Sequence, residues 1–338
     1  MDKLQDTYKR VIDYMRISVT DRCNLRCVYC MPAEGIKLLA HEEVLRYEEI
    51  LEIVKVAAAL GIHKIRLTGG EPLVRSGMPE FVKSLAAIEG IDDISMTTNG
   101  ILLKGYAAAL KEAGLHRVNV SLDSLKPEKF AAITRFDRFQ EVLDGIEAAQ
   151  AAGLTPVKIN VVAMRGVNDD ELVDFARKSI TDGWNVRFIE MMPFVDELTA
   201  ECRSTVSAEA LHPQYMSIKD IKDKLDELGH FNPVHLVPGN GPARYYRYDN
   251  AAGTVGFISP VSEHFCFKCN RLRLTADGKL RPCLLSDLEV DLRPHLRSGE
   301  REGKIKKAIV RAIEMKPKQH HLAQGSKPSK RHMSQVGG

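Results

Sequence analysis

Residues 19–32, VTDRCNLRCVYCMP, hold three cysteines with the spacing C-x3-C-x2-C, at Cys23, Cys27 and Cys30. A structural zinc site requires four ligands in a tetrahedral arrangement, and the next cysteine along the chain is Cys202. An iron–sulfur cube that is held by three thiolates keeps one iron free of protein ligands. The spacing therefore predicts a [4Fe–4S] cluster whose open iron binds a substrate or a cofactor.

The fold class follows from the segments around these cysteines. Short β-branched stretches alternate with amphipathic or alanine-rich stretches over the first two thirds of the chain. This alternation predicts helices that include residues 47–60, 81–88 and 139–152. It predicts strands at residues 15–20, 64–68, 94–98, 117–122, 157–164 and 186–191. Strands that are separated by helices form parallel βαβ units, and a closed barrel requires eight units. We therefore predict an α/β fold, with an incomplete (β/α)6 TIM-type barrel and a C-terminal extension.

Polar and glycine-containing segments lie at the ends of the predicted strands. They are TDRCN (20–24), TGGEP (68–72), TTNG (97–100), SLDS (121–124), KIN (158–160) and IEMMP (189–193). In a barrel of parallel strands, the carboxyl ends of the strands form the active-site face. Six such segments predict a single active site at that face.

A second group of cysteines lies in the segment FCFKCNRLRLTADGKLRPCL. Cys266, Cys269 and Cys283 have the spacing C-x2-C-x13-C and again supply three sulfur ligands. His264 stands two residues before the first of them and offers a fourth ligand. The spacing alone leaves a Cys3His zinc site and a second iron–sulfur cluster equally open.

The alternation of strands and helices ends near residue 195, and the predicted domain boundary follows at about residue 230. Residues 194–216 show no clear period, and a predicted helix at 217–228 follows them. We therefore predict a barrel domain at residues 1–229 and a C-terminal domain at residues 230–338. The last 39 residues hold ten Lys or Arg and three Asp or Glu, although the whole chain has a net charge of only +3. This basic tail fits either a flexible, solvated terminus or an anion-binding segment.

The composition also bears on the compartment. The sequence contains no run of about 18 apolar residues, which a membrane-spanning helix needs, and its first residues lack the apolar region of a signal peptide. Seven cysteines without an export signal indicate metal binding or catalysis rather than disulfides. We therefore expect a cytoplasmic protein.

The first cysteine motif resembles the signature of the radical S-adenosyl-L-methionine (SAM) superfamily, in which an aromatic residue precedes the last cysteine. The resemblance implies that the open iron binds SAM, and that TGGEP contacts the SAM amino group. The residues that it assigns to SAM are Tyr29, Gly70, Ser121 and Met192. Glu71 and Asp123 stand in the same segments, but each is equally suited to bond backbone N–H groups, so we assign neither to a ligand.

From Arg16 to about Leu285, and again at the terminal Gly337 and Gly338, the chain resembles the GTP 3′,8-cyclase family of molybdenum cofactor biosynthesis. The most specific segments are RISVTDRCNLRCVYCMP, IRLTGGEPLVR, TTNG, NVSLDSL, RFIEMMP and the segment of the second cysteine group. The resemblance implies that the C-terminal extension carries a second [4Fe–4S] cluster, with its open iron facing the purine of GTP. Residues 194–216 depart from the family pattern.

The resemblance also assigns a mostly basic set of residues to GTP. They are Arg16, Arg66, Thr97, Lys158, Arg271, Leu272 and Arg273, of which Arg271 and Arg273 are also predicted to be catalytic. Because these two arginines alternate with Leu272, both guanidinium groups are expected on one face of a strand, where they suit a polyphosphate. An ion pair between Lys158 and Glu190 on the neighbouring strand is the alternative.

The implied reaction begins when a flavodoxin- or ferredoxin-type donor reduces the first cluster. SAM is then cleaved to methionine and the 5′-deoxyadenosyl radical, which removes the 3′ hydrogen of GTP. The ribose carbon attacks C8 of guanine, and the product is (8S)-3′,8-cyclo-7,8-dihydroguanosine 5′-triphosphate. Cyclic pyranopterin monophosphate synthase is the expected downstream enzyme. The resemblance further implies that the terminal Gly337 and Gly338 enter the barrel and complete the active site.

Two other functions fit parts of the sequence. Another two-cluster radical SAM enzyme, such as a peptide modifier, shares the first motif, but such enzymes usually have more than three C-terminal cysteines. A zinc-ribbon nucleic-acid binder would use the basic tail, but it leaves the strand-end segments unexplained. Neither a nucleic acid nor a membrane is therefore expected as a partner. The sequence is compatible with both a monomer and a homodimer.

Overall fold

A computed structural model describes residues 4–192, 213–234, 241–296, 301–322, 328 and 331–337. Most of the segment 194–216, which departs from the family pattern, lies outside the described residues, as do Cys202 and Gly338.

The first part of the chain forms six strands. They are β1 (Tyr14–Ser18), β2 (Lys64–Thr68), β3 (Asp93–Thr98), β4 (Arg117–Ser121), β5 (Lys158–Ala163) and β6 (Asn185–Glu190). They pair in sequence order, and every pair is parallel. The six predicted strands are therefore confirmed, and their ends differ from the prediction by a few residues at most.

Helices connect these strands and cover the outer face of the sheet. They are α1 (Tyr47–Ala59), α2 (Met78–Ala86), α3 (Leu103–Glu112), α4 (Pro127–Thr134), α5 (Phe139–Ala151) and α6 (Leu172–Thr181). In α1 the buried side chains include Ile50, Ile53, Val54 and Ala57, so one apolar stripe at helical spacing faces the sheet. Among the described helices, none is both long enough and apolar enough to cross a membrane.

The C-terminal part of the chain extends the same sheet at both edges. Its helices are α7 (Ile218–Leu225), α8 (Arg293–Leu296) and α9 (Arg301–Glu314). Its strands are β7 (Phe231–Val234), β8 (Arg244–Tyr248), β9 (Thr254–Ile258), β10 (Arg271–Leu274), β11 (Lys279–Arg281) and β12 (Val290–Asp291). The sheet order is β12-β11-β10-β1-β2-β3-β4-β5-β6-β9-β8-β7.

Two strands of the C-terminal part join the parallel barrel. Strand β9 runs parallel to β6, and β10 runs parallel to β1. The remaining strands, β7, β8, β11 and β12, pair antiparallel outside them. In the described part of the chain, β12 and β7 are the two edges of the sheet, so the barrel is open. This architecture is the incomplete barrel with a C-terminal extension that the sequence predicts.

The two faces of the barrel strands differ in chemistry. In β1, Met15 and Ile17 belong to the apolar core under the helices, whereas Tyr14 and Arg16 line the interior. The interior of a closed TIM barrel is normally packed with branched apolar side chains. Here it holds polar and basic groups around a cavity, so the inside of the sheet is where a ligand fits.

Candidate active site

One cavity inside the open barrel is lined by both cysteine groups. The six lining thiols belong to Cys23, Cys27, Cys30, Cys266, Cys269 and Cys283. All six cysteines are free, since none forms a disulfide. The fold therefore brings together two motifs that are more than two hundred residues apart in the sequence.

The first cysteine group lies in the loop that follows β1, and the TGGEP segment holds this loop in place. The N–H of Gly70 donates to the carbonyl of Thr20 (2.8 Å), and the N–H of Glu71 donates to the carbonyl of Arg22 (2.8 Å). A Cβ atom on Gly70 would collide with the Arg22 carbonyl. Glycine is therefore required here so that two backbones can approach each other beside the cysteines.

The thiols of the first group share one buried environment. Burial raises the pKa of Cys23 to about 11 and that of Cys30 to about 12, and it raises the pKa of Cys27 well above its usual range. Mutual repulsion between the thiolates adds to this effect. Such thiols stay protonated until a cation replaces the protons, and three thiols on one loop are a suitable donor set for an iron–sulfur cluster.

Among the described residues, no three His, Cys, Asp or Glu side chains converge closely enough to bind a single metal ion. In an iron–sulfur cube each thiolate binds a different iron atom, so the sulfur ligands need not converge on one point.

The four residues that the sequence assigns to SAM, Tyr29, Gly70, Ser121 and Met192, all line the cavity. The hydroxyl of Tyr29 donates to Asp123 Oδ2 (2.7 Å), and Asp123 Oδ1 accepts from the N–H of Val162 (2.8 Å). Burial raises the pKa of Asp123 to about 6. Asp123 therefore holds the aromatic residue of the first motif in position.

Glu71 makes the backbone contacts that the sequence left as one of two alternatives. Its carboxylate accepts hydrogen bonds from the N–H of Leu73 (3.0 Å), the N–H of Asn99 (2.7 Å) and the hydroxyl of Thr98 (2.7 Å). Burial raises its pKa to about 7. Glu71 therefore ties the TGGEP segment to the TTNG segment.

The second cysteine group is fixed by two basic side chains. Arg10 Nη1 donates to the carbonyl of Cys266 (2.8 Å). Lys316 Nζ donates to the carbonyls of Arg271 (2.7 Å) and Pro282 (2.6 Å). Burial raises the pKa of the Cys269 thiol, but Arg271 and Lys316 lower it by more, to about 6. The site therefore favours a thiolate at Cys269.

His264, the fourth ligand of the zinc alternative, is not among the residues that line the cavity. Its ring lies against that of His320, with the ring centroids 5.6 Å apart. His320 lines the cavity and stands next to the second cysteine group.

The cavity wall between the cysteine groups is strongly basic. Of the residues that the sequence assigns to GTP, those that line the cavity are Arg16, Arg66, Thr97, Arg271 and Arg273. The side chain of Leu272 instead packs in the apolar core. Lys158 is buried within electrostatic range of Arg66 and Arg187, but it does not line the cavity itself.

The alternative ion pair between Lys158 and Glu190 is wrong. In the pairing of β5 and β6, Lys158 is opposite Asn185, whereas Glu190 is opposite Ala163. The two residues therefore lie about 16 Å apart along the strands. Glu190 accepts hydrogen bonds from the backbone N–H groups of Ile218, Val261 and Ser262 instead.

Arg187 is a cavity residue that the sequence reasoning missed. It lines the cavity from β6, and its Nη2 donates to Asn160 Oδ1 (2.5 Å). Strand alternation could have indicated it. Arg187 lies two residues before Ile189 on the same face of β6, and Ile189 opens the strand-end segment that is predicted to reach the active site. The pKa values of Arg16, Arg187 and Arg273 are lowered, mainly by burial, and the pKa of Arg273 falls to about 9. So many buried cations favour an anionic ligand.

The C-terminal segment reaches the cavity. Gly337 lines it, with a left-handed φ of 71°, and Arg273 Nη1 donates to the carbonyls of Val336 (3.2 Å) and Gly337 (3.0 Å). Farther back, Arg331 makes ion pairs with Asp277 (2.9 Å) and Glu289 (2.6 Å). The end of the chain is therefore anchored so that its penultimate residue lies inside the barrel.

Comparison with known proteins identifies the family. The Radical SAM superfamily model matches residues 17–178, and the Molybdenum Cofactor Synthesis C model matches residues 184–322. A curated GTP 3′,8-cyclase of Pelotomaculum thermopropionicum is 51% identical over 336 residues, which cover 99% of this chain and 100% of that protein. The chain belongs to the GTP 3′,8-cyclase family.

Further GTP 3′,8-cyclases are similarly close. That of Moorella thermoacetica is 50% identical over 335 residues, covering 99% of this chain and 100% of that protein. That of Listeria monocytogenes is 47% identical over 346 residues, covering 100% of both chains. The match to GTP 3′,8-cyclases over the full length leaves no support for the alternative of a peptide-modifying enzyme.

Solved structures show the shared fold. Streptococcus suis SuiB bound to S-adenosylmethionine superimposes with a TM-score of 0.61 at 11% identity, covering 91% of this chain and 69% of that chain. A second structure, anSMEcpe with bound AdoMet, has a TM-score of 0.56 at 17% identity, covering 87% of this chain and 83% of that chain. At these identities the similarity concerns the radical SAM fold alone.

Proposed function

We propose that the protein is a radical SAM GTP 3′,8-cyclase, which converts GTP to (8S)-3′,8-cyclo-7,8-dihydroguanosine 5′-triphosphate in the first step of molybdenum cofactor biosynthesis. The observation that carries the proposal is one cavity lined by both cysteine groups and by basic side chains. The first group follows the carboxyl end of β1, whereas Cys266 and Cys269 precede the amino end of the parallel strand β10, so the basic strand residues lie between the two groups.

The cofactor end of the cavity is built from the first motif and the strand ends. Cys23, Cys27 and Cys30 would hold a [4Fe–4S] cluster, which, with bound SAM, supplies the 5′-deoxyadenosyl radical that removes the ribose 3′ hydrogen. The residues proposed to orient SAM are Tyr29, Gly70, Ser121 and Met192. The protein thereby contributes position and charge, while the cofactor contributes the radical chemistry.

The other end of the cavity is proposed to hold a second [4Fe–4S] cluster, on Cys266, Cys269 and Cys283. Three free thiols around one cavity and a thiolate favoured at Cys269 support this assignment. The open iron of this cluster would face the purine of GTP. The triphosphate would then contact Arg16, Arg66, Arg271, Arg273 and the previously unassigned Arg187, because guanidinium groups match phosphate oxygens in charge and geometry. Thr97 lies on the same wall and offers a hydroxyl.

The proposed reaction requires an electron donor and an enzyme that uses the product. We propose a flavodoxin- or ferredoxin-type electron donor, cyclic pyranopterin monophosphate synthase as the enzyme that uses the product, and a cytoplasmic location. We also propose a division into a barrel domain at residues 1–229 and a C-terminal domain at residues 230–338. The two domains share one sheet, because β10 pairs with β1 and β9 pairs with β6.

A direct test is anaerobic incubation of the reconstituted protein with SAM, a reductant and each nucleoside triphosphate in turn. GTP should stimulate 5′-deoxyadenosine formation and yield a cyclised nucleotide, because the basic wall would bind the triphosphate while the proposed second cluster would bind the guanine. Equal stimulation by all four nucleotides, or by none, would contradict the proposal.

Replacing Arg271 with alanine should weaken GTP binding by about 1.5–3 kcal/mol, the contribution of a hydrogen bond to a charged group. SAM binding should be almost unchanged, since Arg271 belongs to the wall near the second cysteine group. Calorimetric titration measures both ligands. Arg247→Ala removes an exposed arginine from β8 and serves as the matched control. Equal losses for GTP and SAM would indicate damage to the C-terminal part instead.

Binding of GTP at mildly alkaline pH should take up a proton at Lys158. Burial, followed by the charges of Arg187 and Arg117, lowers the pKa of Lys158 to about 6, so the free protein holds this amine mostly neutral. Lys158 lies behind the cavity wall, within electrostatic range of Arg66 and Arg187, so a triphosphate bound at these arginines favours its ammonium form and raises its pKa. GTP affinity should therefore fall as the pH rises above 6. Calorimetry in two buffers of different ionisation enthalpy measures the uptake. The control is Lys158→Met, which lacks the amine but shares any proton exchange that comes from GTP itself. Equal proton uptake by the wild type and Lys158→Met would refute the role of Lys158.

Replacing Gly337 with alanine should greatly reduce cyclisation while sparing both cysteine groups. The left-handed φ of 71° disfavours a side chain, and a Cβ atom would collide with the Thr68 hydroxyl, so the tail must withdraw from the cavity. Product formation and iron content are the measurements. Gly303→Ala lies in α9, where an added Cβ meets no neighbouring atom, and is the control. Wild-type turnover by Gly337→Ala would show that the C-terminal segment takes no part in cyclisation.

A further inference from the structure

We propose that the hydroxyl of Tyr14 binds a phosphate oxygen of the substrate triphosphate. The inference rests on the proposed function, in that it takes GTP as the substrate, and it adds a neutral donor to the basic wall. Tyr14 is not among the residues that the sequence assigns to a ligand.

The position of Tyr14 places it within the substrate cavity. It is the first residue of β1, two residues before Arg16 on the same face, and it pairs with Lys64 on β2 and Arg271 on β10. Its side chain lines the cavity and is only 1% exposed. The hydroxyl has no hydrogen-bond partner among the described residues. A buried and unpaired hydroxyl is costly, so it needs a physical explanation.

The groups around Tyr14 are cations from several strands of the barrel. The guanidinium of Arg66 lies over its ring, 5.5 Å from the centroid. The hydroxyl is also within electrostatic range of Arg16 on β1, Arg187 on β6 and Arg273 on β10. Tyr14 stands at the start of β1 opposite Arg271, whereas the first cysteine group follows the end of β1, so the hydroxyl lies among the arginines of the basic wall rather than at the SAM end of the cavity.

The chemistry of these neighbours indicates what the hydroxyl binds. Guanidinium groups only donate hydrogen bonds, so they offer the phenol proton no acceptor. A phosphate oxygen that enters between the arginines accepts from them and from the hydroxyl at once. The hydroxyl thus gains its missing partner only when the anion is bound.

Tyr14→Phe tests this inference, because it removes the hydroxyl and keeps the ring over Arg66. The measurement is calorimetric binding of GTP, and separately of guanosine, to the reconstituted full-length protein with SAM. GTP affinity should fall on the order of tenfold, the effect of one lost hydrogen bond to a charged group, and guanosine affinity should stay unchanged. The melting temperature of the free protein should not fall, since the hydroxyl makes no described hydrogen bond.

Tyr47→Phe is the matched control, because the Tyr47 hydroxyl donates to the Ser76 carbonyl (3.0 Å) at an exposed position. It should leave both affinities unchanged. Unchanged GTP affinity in Tyr14→Phe would overturn the inference. Equal losses for GTP and guanosine would also overturn it, because the contact would then be to the nucleoside. Binding of GTP by the wild type tests the proposed function, whereas the difference between the wild type and Tyr14→Phe tests the inference. A wild type that fails to bind GTP would overturn both.

Discussion

Alanine in place of Cys23, Cys27 or Cys30 is expected to abolish the cleavage of SAM. Two thiolates hold an iron–sulfur cube poorly, and the open iron that binds SAM is lost together with the cube. The rate of 5′-deoxyadenosine formation, followed anaerobically by chromatography, should fall to the background of protein without iron. We expect each of the three variants to show this loss separately, because each thiolate binds a different iron atom.

The seventh cysteine provides the matched control. Cys202 belongs to neither motif, so Cys202→Ala should cleave SAM at the wild-type rate. The second cysteine group should still take up iron in the Cys23, Cys27 and Cys30 variants, which shows that the protein has folded. Undiminished 5′-deoxyadenosine formation by any of these three variants would disprove the assignment of the first motif.

Alanine in place of Cys266, Cys269 or Cys283 is expected to produce a different defect. The first motif is intact in these variants, so some SAM cleavage should persist, uncoupled from cyclisation. The cyclised nucleotide should disappear, because the purine would lose the iron that we propose positions it, and an ill-positioned substrate costs orders of magnitude in rate. The ratio of cyclised nucleotide to 5′-deoxyadenosine is the quantity to measure.

Metal analysis distinguishes an iron–sulfur cluster from a zinc site at the second cysteine group. The wild type should contain roughly twice the iron of the Cys266, Cys269 and Cys283 variants, with sulfide in proportion. Zinc in place of that iron would favour the Cys3His alternative with His264. A variant that lacks the second iron but forms normal product would show that this group is no substrate site.

The parallel strands were predictable because their signal is local. Each of the six strands is a short β-branched segment next to an amphipathic helix, and such βαβ units have one common arrangement. The joining of β9 and β10 to the parallel barrel was not predictable in this way. Their partners, β6 and β1, are set by the closing of the sheet in space, and no short pattern records it.

The site was predictable where spacing carries the chemistry, as in the two cysteine motifs. It was less predictable where a polar side chain stands inside a strand. Arg187 and Tyr14 look like ordinary strand residues until the interior of the barrel proves to be polar. The opposite happened with Lys158 and Glu190, because adjacent strands suggested a contact that the register of β5 and β6 rules out.

The end of the chain illustrates a third case. A basic segment that ends in two glycines is typical of a flexible terminus. Its path into the cavity depends on the ion pairs of Arg331 with Asp277 and Glu289, and on the bond from Arg273 to Gly337. All these partners are distant in sequence, so only the family resemblance, and not the local pattern, indicated the result.

The most direct test of the central claim is the fate of the ribose 3′ hydrogen. GTP labelled with deuterium at C3′ should be incubated anaerobically with the reconstituted protein, SAM and a reductant, and the 5′-deoxyadenosine analysed by mass spectrometry. Transfer of deuterium into 5′-deoxyadenosine, with an amount of cyclised nucleotide to match, is the result that we predict. Unlabelled 5′-deoxyadenosine formed alongside intact, fully labelled GTP would contradict the account.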